Sequence, residues 1–503
     1  MITQNQRFIS TLLCILMLIG SVSCSDSTSS DESEQPSVSS NNSSAAETEP
    51  ETAFPDDIPE GTTFGGESIR FILNRDLEII YINEDESDLG EALNEAVWKR
   101  NNLLEDRLDI TITEPVVSDS SQQNKIIPNS VQSGSDDYDI TIGHARFNSG
   151  LVLRSAIRCL DDLEYLDLEK PYWSQGFNEN VAYNGSHFWI VGDISKYYIA
   201  STYVILANSQ LWNNHFGDQN LYDIVREGKW TIDKLRECSA SAYEDLNGNG
   251  LKDVEDAFGF ASEAGHIFNG MFFAADVQYT SFDSEGIPHI TINNEHSLSV
   301  FEQLRDLLYN GDGVFRMTSN QGDTAINLTM FVSDRLLFKP GQFSDLENDL
   351  VRNMETNFYA IPMPKFDEAQ ENYRSSQHDG TSIYGLLSTV HENRLDPVAA
   401  TLEAMCSMAS TMVIPVYYDD ILKSKYSRDP ETAEMIDLIR SSLETDFGHV
   451  WSDSISSTSI FLFFTNKINN DHIASFLEKS EKVWIKGLDK LTSNLDDIAS
   501  QYN

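Results

Sequence analysis

The 503-residue chain is short of cysteine, of basic residues and of long apolar runs, and each shortage excludes a class of protein. Of five cysteines, only Cys159, Cys238 and Cys406 lie beyond the first 24 residues. Three widely spaced thiols do not make a disulfide framework. Cys406 shares a helical face with Val398, Leu402 and Met405, the setting of a buried, inert thiol. Lysine and arginine total 34 against 80 aspartates and glutamates, a formal net charge of -46. Such a surface repels nucleic acid and anionic lipid headgroups, and it favours neutral or cationic ligands. Neither G-x-S-x-G nor H-E-x-x-H occurs, no Cys/His pair suggests a nucleophile, and no repeat of solenoid length is present.

The longest early apolar run, Leu12 to Ile19, is too short for a stable membrane span. With Arg7 before it and small residues after it, the run reads as a secretory signal covering residues 1–23. Ser21, Val22 and Ser23 lead into Cys24, a pattern that resembles the bacterial lipoprotein box, in which the cysteine carries a lipid. Residues 24–64 are rich in Ser, Glu, Asp and Pro and hold no Lys or Arg. That composition buries too little apolar surface to offset its ordering entropy, so a disordered acidic tether is expected. The expectation is a protein on the outer face of a bacterial cell membrane, held there by lipid alone.

A hydrophobic fraction of 40% and an aromatic fraction of 10% indicate a folded body, and its length suggests two lobes. From Gly65 onward strand and helix patterns alternate. Apolar residues in "SIRFIL", at Leu108, Ile110 and Ile112, and at Tyr138, Ile140 and Ile142 mark strands; helical spacing separates them. That alternation is the grammar of a parallel α/β sheet, with ligands beyond the carboxyl ends of its strands. Further strands are expected at "YVILAN", "AFGFAS", "DRLLFKPGQ" and "NFYAIPMPKF", and Asp396-Pro397 and Asp429-Pro430 are expected to open helices.

"DLNGNGLKDVED" has calcium-loop spacing. Asp245, Asn247 and Asn249 hold positions one, three and five; Gly250 allows the sharp turn; Leu251 offers a carbonyl; Asp253 and Asp256 follow at nine and twelve. A hard cation needs such a ring of oxygens. One loop, unpaired, predicts a structural Ca2+ rather than a sensor.

Taken in order, these pieces resemble the extracellular solute-binding proteins of carbohydrate ABC importers, relatives of the maltose-binding proteins. The lipobox and spacer, "YDITIGHARF", "YVILANSQLW" with Asn208 before its helix, "GKWTIDKL", the calcium-type loop, "YAIPMPKF" and "IPVYYDDILKSKYSRDPETAEMIDLI" carry the likeness from about Gly65 to the C-terminus. The resemblance implies a two-lobed α/β periplasmic-binding-protein type II fold with hinged lobes and a central cleft. Residues 65–200 with 360–425 would form the first lobe, and 201–359 with 426–503 the second, which carries loop 245–256. It implies a monomeric binding protein, not an enzyme, that closes on a mono- or oligosaccharide and delivers it to membrane permease subunits.

Strand-end logic makes His144 and Arg146 the first candidate solute contacts. Relatives commonly carry an acidic residue where this chain has Ala145, so Arg146 serves either a different solute or the structure. Trp173 is a candidate stacking platform, or else a packed tryptophan. Asn269 and Phe272 are second-lobe candidates, with Tyr384 and His378 behind them; Trp212 and Trp230 belong to packing segments. A surface polysaccharide hydrolase stays open as an alternative, because 80 acidic residues can supply a carboxylate pair without a motif. A sensor or adhesin that has left transport is a third reading.

Overall fold

The computed structural model describes residues 54–74, 80–82, 92–217, 219–262, 265–317, 323–418, 430–456 and 472–502. The signal, Cys24 and most of the tether lie outside them. The tether is shorter than its composition suggests. Ile58 is buried, Phe54 and Phe64 pack on the core, and Asp56 pairs with Arg107 at 2.5 Å. A few apolar side chains and two ion pairs, Asp56 with Arg107 and Asp57 with Lys170, anchor residues 54–64 to the body.

Two sheets organise that body. The first has the order β13-β5-β2-β4, from β2 (Phe71–Asn74), β4 (Val116–Ser118), β5 (Ile140–His144) and β13 (Ser382–Leu386). β2, β4 and β5 are parallel, as the alternating pattern requires, and β13 returns antiparallel to β5. The expected first strand is split: β1 (Glu67–Ile69) pairs instead with β3 (Ile110–Ile112). The second sheet has the order β10-β7-β11-β6-β12. Its strands are β6 (Tyr203–Asn208), β7 (Phe258–Ser262), β10 (Val314–Arg316), β11 (Leu336–Gln342) and β12 (Phe358–Ile361), while β8 (Thr280–Phe282) and β9 (Pro288–Ile290) pair with each other. β6 explains its own unbroken apolar sequence: it lies between β11 and β12 and all six residues are buried.

Local chemistry sets the element ends. Asn208 accepts the Leu211 amide at 2.9 Å and so caps helix Ser209–Phe216; Thr231 caps Ile232–Ser241 through the Lys234 amide at 3.2 Å. Asp396-Pro397 does not open its helix. Helix Glu392–Met412 begins earlier, after His391, and Pro397 lies inside it. The early turn is stabilised by Arg394, which reaches back to Glu67 and to Asp139 at 2.6 Å. This helix is apolar enough to cross a membrane by composition, but 83% of that stretch is buried in the body. Cys159, Cys238 and Cys406 are buried free thiols, with burial pushing Cys159 up to about 11 and Cys238 to about 12.

The C-terminal segment does not stay with the second sheet as a block. Helix Pro430–Ser441 packs on β12, but Phe447–Val450 and Ser452–Ser456 pack beside Ala145–Asn148, at the end of β5. Helix Ile473–Ala499 follows them, burying Leu477, Trp484, Leu488, Leu491 and Leu495 at helical spacing. A 27-residue amphipathic helix needs a long groove, and this one lies along elements of both lobes. Asp429 falls outside the described residues.

Candidate functional site

The two sheets present corresponding ends to one place. In the first, the carboxyl end of β5 (His144) pairs with the start of β13 (Ser382). In the second, the carboxyl end of β11 (Gln342) pairs with the start of β6 (Tyr203), and the parallel strands β7 and β10 end nearby. Residues 376–381 cross between them. The Tyr203 amide donates to Ser376 O at 3.0 Å and the His378 amide to Ser201 O at 2.9 Å. On the other side, the Ala145 amide donates to Thr381 O at 2.9 Å and the Arg146 amide to Asp379 O at 3.2 Å. The crossing segment is thus sewn to both sheets by backbone hydrogen bonds.

Two of its side chains, His378 and Asp379, are ionisable, and Asp379 is buried. Arg146 donates to Asp379 Oδ2 at 2.7 Å, stacks over the Phe147 ring at 4.2 Å and comes within 3.9 Å of Asp453. Asp379 also faces His378 Nδ1 at 3.1 Å. Burial pushes His144, His378 and His449 down to about 4, only partly offset by the charge of Asp379. Asp379 itself is held below the usual carboxylate range: burial opposes ionisation, but His378, His449, Arg146 and His144 together outweigh it. At neutral pH this is one ion pair among neutral imidazoles.

A cavity of about 180 Å³ opens beside His378 on the second-lobe side. Its wall mixes polar groups, among them His266, Asn327, Lys339, Asp345 and His378, with the apolar Ile267, Met317 and Pro340 and the ring of Tyr203. Lys339 is buried and paired with Asp345 at 2.7 Å, and the same carboxylate oxygen accepts the Gln342 amide at 2.9 Å. Gly341 has to be glycine here, because a Cβ would overlap Asp345 Oδ2. A wider surface depression of about 960 Å³ is lined by Ser209, Asp334 and Asn357. It lies at the Asn208 end of β6, away from the crossing segment, so position favours the smaller cavity.

The structure separates the residues singled out in the sequence. His144 stands at the strand end, but its Nδ1 accepts the Phe147 amide and its Nε2 faces Gly380. Arg146 is a buried tie to the crossing segment. Trp173 is 1% exposed and donates to Glu403 at 3.0 Å, so it is a packed tryptophan and no stacking platform. Phe272 stacks on Phe301 in the core, and Tyr384 is fully buried in β13. Asn269 is also buried, lining a separate 10 Å³ void. Trp212 and Trp230 are core residues, as their segments suggest. His378, ranked low on sequence, is central. Tyr203, His266, Asn327, Lys339, Asp345 and Asp379 carried no motif; the one available signal was that the ends of "DRLLFKPGQ" and "AFGFAS" are strand ends.

The calcium-type loop is an exposed turn on one buried carboxylate. Asp245 accepts the Gly248 and Gly250 amides at 2.8 and 3.0 Å, Asn247 the Asn249 amide at 3.0 Å, and Asn249 the Leu251 amide at 2.6 Å. Asp256 is fully buried and accepts the Leu246 and Asp253 amides, each at 3.2 Å. Gly248 and Gly250 take φ of 68° and 72°. The donor set is hard oxygen throughout and fits Ca2+ chemically. Elsewhere, the ligand atoms of His266, His378 and Asp379 lie within 4.8 Å of one another.

No protein-family model matches the chain, and no curated protein matches it. Solved structures do. A cyclo/maltodextrin-binding protein complexed with maltotetraose matches at 11% identity and a TM-score of 0.54, over 84% of this chain and 97% of that one. The two-lobed solute-binding fold is the fold of this chain. Maltose-bound MalE3 of T. maritima aligns at 14% identity and a TM-score of 0.51, covering 85% of this chain and all of its own. UgpB from Mycobacterium tuberculosis, in complex with glycerophosphocholine, aligns at 15% identity and a TM-score of 0.50, over 86% and 99%. The segment of this chain that passes between the two sheets is the one carrying His378 and Asp379.

Proposed function

We propose that this chain is the solute-capturing component of an ABC importer and that it takes a small, largely uncharged polar solute, a monosaccharide-sized carbohydrate above all. One observation carries the reading: the cavity of about 180 Å³ at the strand ends, with mixed polar and apolar walls, beside the segment that passes between the sheets. Similar structures are named with ligands as different as maltotetraose and glycerophosphocholine, so the lining must decide the solute. Its buried cation and carboxylate neutralise each other, which disfavours a strongly charged guest. Planar amides and imidazoles suit hydroxyl groups, and a single ring offers little stacking for a long oligosaccharide. A hydrolase would need two carboxylates across the cavity, and Asp345 is the one acidic side chain in its wall among the described residues.

The rest of the reading is architectural. A lipid on Cys24 and the acidic segment after it would hold a monomeric binding body at the outer face of the cell membrane, within reach of permease subunits. Loop 245–256 would hold a structural Ca2+ through Asp245, Asn247, Asn249, the Leu251 carbonyl, Asp253 and Asp256. A thermal-shift screen of the purified chain against mono- and oligosaccharides tests the capture. A solute at a hundredfold excess over its dissociation constant adds about 2.7 kcal/mol of stability. A Lys339→Met variant that still folds should lose that gain. If no sugar raises the melting temperature, the carbohydrate reading fails.

A further inference from the structure

Beyond solute capture, the geometry points to a transition-metal site formed by His266, His378 and Asp379, with an open position facing the cavity. The ligand atoms of the three side chains lie within 4.8 Å of one another. One pair is already at coordination spacing. His378 Nδ1 and Asp379 Oδ1 are 3.1 Å apart, close to the roughly 3.3 Å between neighbouring ligands on a tetrahedral zinc. The same Nδ1 receives the Gly380 amide hydrogen at 2.8 Å, which makes it the acceptor nitrogen of its ring. That amide occupies the nitrogen's one lone pair, so a metal held at Nδ1 would displace it and take over the contact with the Asp379 carboxylate. The other carboxylate oxygen is committed to Arg146 at 2.7 Å, which fixes the orientation of Asp379 as an outer-shell partner would.

The third ligand comes from a different element. His266 immediately precedes helix Ile267–Ala274, after β7 of the second sheet, and its ring centre is 4.5 Å from that of His378. It is exposed, so its rotamer is free to close the remaining distance. His266 and His378 both line the cavity, so a fourth position would open where water or a solute oxygen can sit. Two imidazoles and one carboxylate suit zinc, nickel or copper better than calcium, which prefers the all-oxygen loop at 245–256. A metal here would join the second lobe directly to the crossing segment, coupling its occupancy to lobe closure.

The test uses the full chain, stripped with EDTA and then saturated with Ca2+ so that the oxygen loop is not a competitor. Zinc titrated by calorimetry should bind at one equivalent. His266→Ala, an exposed change that leaves the core untouched, should weaken that binding at least tenfold. His289→Ala, which removes an exposed imidazole paired with Asp283 elsewhere, should leave it unchanged. Co2+ should give visible d–d absorption in the wild type that His266→Ala loses. Zinc binding indifferent to His266→Ala, or a cobalt spectrum no different from the aqua ion, overturns the site. Sugar binding measured in EDTA reports on the solute reading alone, so the two proposals fail separately.

Discussion

Asp139 shows how much a single residue can carry in this fold. It sits at the foot of β5, fully buried, and its carboxylate receives Arg70 at 2.7 Å and Arg394 at 2.6 Å. These bonds tie β2, β5 and the long helix Glu392–Met412 together. Asp139→Ala should cost about 1–3 kcal/mol in urea unfolding, because both guanidinium groups lose their buried carboxylate while keeping Asp136 and Glu67 as partners. Asp193 makes the opposite case. Burial raises it to about 6 although Arg440 lies 3.1 Å away. The folded protein then retains a proton that the unfolded chain has released, so stability falls as pH rises from about 4 to 6. Asp193→Asn should therefore raise stability at pH 7, by up to about 2 kcal/mol after loss of the half-exposed ion pair, and give no gain at pH 4. An equal effect at both pH values would refute that account.

Among the elements, loop 245–256 has the clearest expected behaviour. Its amides already point at the side-chain oxygens of Asp245, Asn247 and Asn249, so the turn is formed without a metal. Added Ca2+ should raise the melting temperature, and EDTA should return it. Asp245→Asn should abolish the response while leaving the calcium-free melting temperature nearly unchanged, because the asparagine oxygen can still accept one amide. A calcium response that survives this change places the ion elsewhere. The C-terminal helix shows what an element-level reading misses. Its amphipathic spacing is plain in the sequence, but its partners come from both lobes, and no local signal says so.

For the whole molecule, the expected event is closure of two sheets about residues 201–203 and 376–381. Small-angle scattering should show a smaller radius of gyration with bound solute, and a ligand that stabilises the chain without compacting it would contradict hinge closure. Charge acts at this scale as well. With a net charge of -46, weak association with anionic vesicles is expected for the purified chain.

Alternating apolar patterns were enough to place β2, β5, β6, β7, β11 and β12, because a strand's burial is written in its own residues. The calcium spacing was legible for the same reason: its ligands are neighbours in one turn. The cavity was not. His266, Lys339, Asp345 and His378 come from three separated segments, and each looks like an ordinary surface residue until the strands align. Trp173 was ambiguous because an aromatic ring reads alike in a core and in a cleft; only the packing against Glu403 decided it. Sequence alone determined most of the elements, since those follow from local periodicity, while the two-lobed class came from the ordered resemblance to a known family. Tertiary structure decided which side chains meet, since contact across more than a hundred residues depends on how sheets pack and where the chain crosses.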